Sequence, residues 1–352
     1  YNREQKPEWR EHFDRRDFSD EDLIEDKNCI GNMKLVSSHP EKKSIVYTYI
    51  FSDQEYKFKK NDKVVIANNI NSDKINDRAG VIVSLDQINK RIKLKKQTKI
   101  DSPELPNKLS IAKKIMDNSS FDKLNDNIYK FVDNILENKK NYQALISFLN
   151  RDIPSIDGIK KDDKIIKTND FYSEIPNVIS NLKNSYLYLQ GPPGTGKTTM
   201  SAITILELIK KNKKIAITAN SHSVIHNLLD KVESLAVKKK ISFKGIKGGK
   251  PDKEDPSYYN GKYILTKEVG KKYERNWIES LNDNSTFVFA GTKFLLSWPF
   301  FYNKLDYLLI DEAGQISLAD LIALGGIAKN IILVGDQMQL GQPIQGNHPG
   351  QS

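Results

Sequence analysis

Cysteine is nearly missing from this 352-residue chain: Cys29 stands alone, which excludes an internal disulfide and suits a reducing, cytoplasmic setting. Long apolar runs are missing too. The longest, residues 316–334, is broken by Asp320 and Lys329, so it reads as a buried helix followed by a strand and not as a membrane span. Arginine is scarce among the cations. The net charge of +10 is carried mostly by lysine, a point charge, which permits binding to phosphodiester backbones without establishing it. No tandem repeat and no cysteine–histidine constellation is present, which leaves no zinc or iron–sulfur site to read.

The pattern changes along the chain. Residues 1–43 are dense in charge, with a helix start at "FSDEDLIED", where Ser19 serves as N-cap. Short alternating runs ("SIVYTYIF", "DKVVIA", "AGVIVSLD", "RIKLKK") then predict a small antiparallel barrel over 44–105. Residues 106–184 read as a helical stalk and a lysine-rich connector. From 185 to 352 the style is α/β: the apolar runs "YLYLQ", "KIAIT", "FVFAG", "YLLID" and "IILVGD" predict a parallel sheet with helices on both faces. Between 238 and 253 the run "KKKISFKGIKGGKPDK" reads equally as a solvated loop or as an accessory nucleic-acid contact.

Chemistry concentrates in three motifs. "LYLQGPPGTGKTTM" holds a phosphate loop (Walker A) of Gly191, Pro192, Pro193, Gly194, Thr195, Gly196, Lys197 and Thr198, with Thr199 following. Its glycines let backbone N–H groups converge on phosphates at a helix N-terminus; Lys197 reaches the β- and γ-phosphates, and the Thr198 hydroxyl ligates Mg²⁺. "DYLLIDEAGQ" delivers Asp311 to the carboxyl edge of the sheet as the second Mg²⁺ anchor, with Glu312 placed to activate the attacking water. "ILVGDQMQL" ends a further strand at the same edge and puts Gln339 in reach of the γ-phosphate or its water.

In this order, "GPPGTGKT", "DEAGQ" and "GDQMQL" resemble motifs I, II and III of superfamily 1 helicases, and the DEAxQ form resembles the 1B branch. The chain looks most like a bacterial fusion family that joins a RecB-like nuclease to such a helicase. The likeness runs from "KPEWREHFDRRDFSDEDLIED" through "ITANSHSVIHNLL" to "GDQMQLGQPIQGNHPG".

The resemblance implies a RecA-like P-loop NTPase that uses ATP and Mg²⁺ to move along single-stranded nucleic acid, DNA in the fusion family. It also implies two partners, a second RecA-like domain beyond Ser352 that supplies arginine fingers and a nuclease before Tyr1. Ser221, His222 and Asn227 then fall in motif Ia as contacts to the strand's phosphates, and Thr292 and Lys293 fall in the next such motif. Glu174 occupies the place of a glutamine that reads the adenine edge, with Gln143 as an alternative. A carboxylate cannot donate to a ring nitrogen, so relaxed base selectivity is expected. Aromatic "WPFFY", 298–302, reads first as packing and second as a base-stacking platform. The competing reading is a nucleotide-regulated nucleic-acid-binding module without motor activity. A P-loop kinase or GTPase has no use for these motifs.

Overall fold

The computed structural model describes residues 10–67, 78–97, 104–113, 119–161 and 163–336. They fall into two compact units that divide between Asp117 and Asn118. Among the described residues, no helix is long and apolar enough to cross a membrane.

The first unit opens with α1 (Asp20–Glu25), started by the expected cap: Ser19 accepts from the Asp22 amide, and the Asp22 carboxylate returns the bond to Ser19. Six strands then close a barrel: β1 (Cys29–Glu41), β2 (Ser44–Ile50), β3 (Lys63–Ile66), β4 (Arg78–Asp86), β5 (Arg91–Gln97) and β6 (Lys108–Lys113). β1 and β6 both lie outside the 44–105 span expected for the barrel, yet their pairing is what closes it. Ile30, Met33, Tyr49, Ile82, Leu94 and Ile111 fill the interior. Cys29 is buried beside it, and burial, then the Asp26 charge, pushes its thiol up to about 12, so it is chemically inert.

In the second unit come α2 (Ser119–Leu136), α3 (Gln143–Leu149), α4 (Phe171–Ser180), β7 (Tyr186–Gln190), α5 (Lys197–Lys210), β8 (Ile215–Thr218), α6 (His222–Lys239), β9 (Lys244–Gly248), β10 (Ile264–Lys267), α7 (Glu274–Asn282), β11 (Thr286–Ala290), α8 (Lys293–Leu296), β12 (Leu305–Ile310), α9 (Leu318–Leu324) and β13 (Ala328–Gly335). Seven strands form one parallel sheet in the order β10-β9-β11-β8-β12-β13-β7. Successive residues face opposite layers. Ile215 and Ile217 join the cluster of α5 and α6, whereas Ala216 joins the cluster of α3, α7 and α9; Leu309 and Leu308 divide in the same way. Helices therefore cover both faces, as the apolar runs predict. The helices expected as a stalk belong to both layers: α3 joins one, with Tyr142 and Leu145 buried, and α4 joins the other, with Val178 and Ile179 buried.

The lysine-rich run differs from the expected solvated loop, because its middle is β9, an interior strand. Edge strand β10 is tied down by Glu233 of α6, whose carboxylate accepts from the amides of Lys262, Tyr263 (3.0 Å) and Ile264 (2.8 Å). A Cβ on Gly261 would collide with that carboxylate. Glu233→Ala strips three amides of their acceptor and is expected to cost about 3 kcal/mol. Hydrogen exchange should report the loss first in 262–264, and a global loss with no local change there would contradict this account.

Candidate nucleotide and strand-binding site

The phosphate loop leaves β7 at Gln190 and is rooted on β13, since the Gly191 amide donates to the Gly335 carbonyl at 3.3 Å. Gly194 and Gly196 hold φ of +81° and +87°, the left-handed region that side chains resist. Gly196 is the N-cap of α5 and offers no side-chain acceptor, so the first-turn amides, those of Lys197, Thr198 and Thr199 among them, are left for an anion. Within the loop, the Lys197 ammonium donates to the carbonyls of Gly191 and of Pro192 (2.9 Å), and Thr195 Oγ1 donates to the Pro192 carbonyl at 2.8 Å. Cβ on Gly191 would sit 2.7 Å from Thr195 Oγ1, which makes that glycine part of the loop's closure.

Asp311 follows β12 and is 8% exposed. Its amide donates to the Thr218 carbonyl (2.9 Å), fixing the turn to β8. Among the described residues its carboxylate accepts one hydrogen bond, from the Glu312 amide at 3.0 Å, and makes no ion pair. Burial pushes this carboxyl up to about 6; the Glu312 amide and the Lys197 ammonium act in the opposite sense. Glu312 itself is held at φ +52°, a left-handed backbone costing about 1–2 kcal/mol for a residue with a side chain. A buried carboxylate short of counter-charge, set beside a phosphate cradle, fits a divalent cation. Among the described residues no group of three or more His, Cys, Asp or Glu could hold a metal. Such an ion would therefore need oxygens from a nucleotide, with Thr198 and Asp311 as the protein's share.

The first two residues of the third motif, Gly335 and Asp336, reach the same edge. Gly335 ends β13, and a Cβ there would lie 3.1 Å from Tyr188 Oη and 3.3 Å from the Ala313 and Gly314 amides. Asp336 is buried. Gln339 lies outside the described residues.

Beside this edge stand the expected strand contacts. Ser221 caps α6, accepting from the Val224 amide at 3.2 Å, and its hydroxyl lies 2.9 Å from that of Ser223. His222 opens the helix, with Nδ1 3.0 Å from Lys247 Nζ. Asn227 is exposed one turn further on. Thr292 occupies the N-cap position of α8 without a side-chain cap bond. Lys293 differs from expectation: its ammonium pairs with buried Asp320 at 2.8 Å, so most of its charge is spent inside the protein. The aromatic segment packs inward. Phe301 is fully buried, Phe300 stacks on Trp277, and Trp298 carries the Lys123 ammonium 4.4 Å above its ring.

Glu174 also differs from expectation. Its carboxylate accepts from the Lys167 amide (2.7 Å), the Thr168 amide (2.8 Å) and the Thr168 hydroxyl (2.7 Å), which hold the acid below its ordinary range. It works as the brace of the 167–168 turn. Two contacts are not foreseen from the sequence, the second made by Asn220, which reads there as a cap of the next helix. Exposed Tyr172 of α4 brings its hydroxyl to 3.4 Å from a Cβ built on Gly196, with no motif to announce it. The Asn220 side-chain amide donates to the Gln315 carbonyl, joining the turn before α6 to the turn after Asp311.

The fold is a RecA-like P-loop domain, with the loop, the acidic strand end and the third motif on one carboxyl edge. Residues 177–349 match the AAA domain family. Over 161 residues the chain is 32% identical to the DNA replication ATP-dependent helicase/nuclease DNA2 of Saccharomyces cerevisiae, covering 44% of this chain and 10% of that protein. Its human counterpart is 30% identical over 164 residues, covering 45% and 14%. The DNA polymerase alpha-associated DNA helicase A of Schizosaccharomyces pombe is 26% identical over 200 residues, covering 46% and 30%. The chain thus spans less than a third of each relative. Among solved structures, arterivirus nonstructural protein 10, a helicase, is similar at 12% identity and a TM-score of 0.34, covering 90% of this chain and 49% of that one. An overlap that slight carries no weight for the fold, which rests on the sheet itself. Residues 177–349 thus resemble the motor region of superfamily 1 helicases.

Asp311→Asn removes a buried, poorly compensated carboxylate. It is expected to stabilise the nucleotide-free protein by about 1–3 kcal/mol while weakening Mg²⁺-dependent nucleotide binding. A thermal midpoint that falls on this substitution would show that the charge is compensated after all.

Proposed function

We propose that this region binds Mg–ATP at the 191–198 loop and couples its hydrolysis to movement along single-stranded nucleic acid, DNA in particular. The observation that carries the reading is the convergence of the phosphate cradle and buried Asp311 on one sheet edge, next to the hydroxyl, imidazole and amide donors of Ser221, His222 and Asn227. Mg²⁺ supplies charge neutralisation at the transferring phosphoryl group. Lys197 and the first-turn amides of α5 hold the phosphates, Thr198 and Asp311 position the cation, and Glu312 accepts the proton of the attacking water. Gln339 contacts the γ-phosphate or that water. A second RecA-like domain contributes the arginine that meets the transition-state charge, and a nuclease is the further partner the resemblance suggests. DNA is favoured because all three relatives described above carry DNA in their names.

On this reading the 352-residue chain binds Mg–ATP but turns it over slowly, by about 10³–10⁵ relative to a site completed by an arginine finger. Lys197→Ala should weaken nucleotide binding. Rapid DNA-stimulated turnover by the chain alone, lost in Lys197→Ala, would refute the need for a second domain. Because Glu174 is committed to Lys167 and Thr168, base selectivity is expected to be loose. Competition titration should return comparable affinities for ATP and GTP, and strong preference for ATP would count against this.

A further inference from the structure

Lys247, in the middle of β9, has no exposed surface, and it is the one buried lysine among the described residues. It makes no ion pair there. Its ammonium donates to the Ser257 carbonyl oxygen and approaches His222 Nδ1 at 3.0 Å. Ser257 is fixed in its turn: its amide donates to Asp255 at 2.9 Å, its hydroxyl donates to the same carboxylate, and the Lys250 amide donates to that hydroxyl at 2.9 Å. Lys250 and Asp255 also pair at 2.6 Å. The run that reads as a solvated charge tract is therefore a chain of supports that ends on an imidazole.

An ammonium has three donors and no acceptor. Nδ1 of His222 must then accept, which leaves the ring proton on Nε2. Nε2 makes no hydrogen bond with a described residue and is not a buried orphan, whereas Nε2 of His226 is. The free N–H of His222 thus reaches solvent at the first residue of α6, beside the Ser221 cap.

We propose that Lys247 is a positioning residue for strand binding: it locks His222 in the tautomer whose Nε2–H donates to a phosphate oxygen of the bound strand, and it bars the doubly protonated ring. This rests on the reading of Ser221–His222 as a strand contact. The charges facing the ring are Lys247 from β9, His226 from α6 and Asp255 from the loop after β9. Burial, then Lys247 and His226, pushes His222 down to about 4 against the opposing pull of Asp255. Burial lowers Lys247 to about 8 against the same carboxylate, so the lock is intact below that pH and released above it. The contact is a neutral hydrogen bond, indifferent to pH between about 5 and 8, and it adds no counterion release.

The test uses the whole chain with ¹⁵N-labelled histidine and a fluorescent single-stranded oligodeoxynucleotide. Long-range ¹H–¹⁵N spectra of the unmutated protein should show His222 protonated on Nε2 alone across that pH range. Lys247→Met, similar in size and neutral, should let His222 titrate at a higher pH than in the unmutated protein, with burial and His226 still holding it below the ordinary value of about 6.5. Oligonucleotide affinity in that variant should then rise on acidification, with the log K against log salt slope steeper by about 0.7 for the charge gained. His222→Ala should weaken binding without changing the slope at neutral pH. A His222 of the unmutated protein that carries its proton on Nδ1, or that titrates near 6.5, overturns the proposal without recourse to any variant. The expected tautomer together with unchanged affinity in His222→Ala instead overturns the strand role of the site, so the two failures are separable.

Discussion

The nucleotide edge depends on the parallel contact of β12, β13 and β7, in which Ile310 stands opposite Leu333 and Gly335 opposite Gln190. This register brings three strand ends level, so that the phosphate loop, Asp311 and Asp336 leave the sheet side by side. It is held by burial and not by the loops. A slip of one residue would turn Leu309 and Ile332 from the α5–α6 layer toward the opposite layer, and β8, β11, β12 and β13 carry the same two-sided constraint. The geometry of this edge is a by-product of packing two apolar layers against one sheet.

What the edge gains in placement it gives back in local stability. Glu312 sits in a left-handed backbone, Gly194 and Gly196 do likewise without a Cβ, and Asp311 keeps a carboxylate in a setting that disfavours charge. The Glu312 backbone and the buried Asp311 charge are each unfavourable alone, whereas the glycines take the left-handed region freely, and such strain usually gathers at functional sites. The surrounding core, with Ile310 and Val334 fully buried next to these residues, over-determines the backbone and keeps the strain in place.

Much of this was legible in the chain, for identifiable reasons. Four strands announced themselves because a strand buried on both faces must be continuously apolar, edge strand β7 by a similar run that is only partly buried, and the phosphate loop because no other turn needs those glycines before a lysine and two threonines. Ser19 and Asp22 marked a helix start through their spacing. The misses have causes as well. β9 escaped because glycines and Lys247 stand where apolar side chains were expected, its burial being supported by hydrogen bonds rather than by hydrophobicity. β1 escaped because its outer half is exposed and reads as loop. The partners of Glu174 and Lys293 are close in space by folding alone: a carboxylate six residues from Thr168 and a lysine 27 from Asp320 look equally free in a sequence.

The hydrogen bond from Asn220 to the Gln315 carbonyl spans the turn that opens α6 and the turn that follows Asp311 and Glu312. Coupling free energy between two sites is reciprocal. A strand that pulled on the α6 turn would work against the acidic turn through one amide, and a nucleotide that shifted the acidic turn would push back by the same amount. On the proposed function, that one amide is a tie-rod between the grip and the fuel chamber, short and directional.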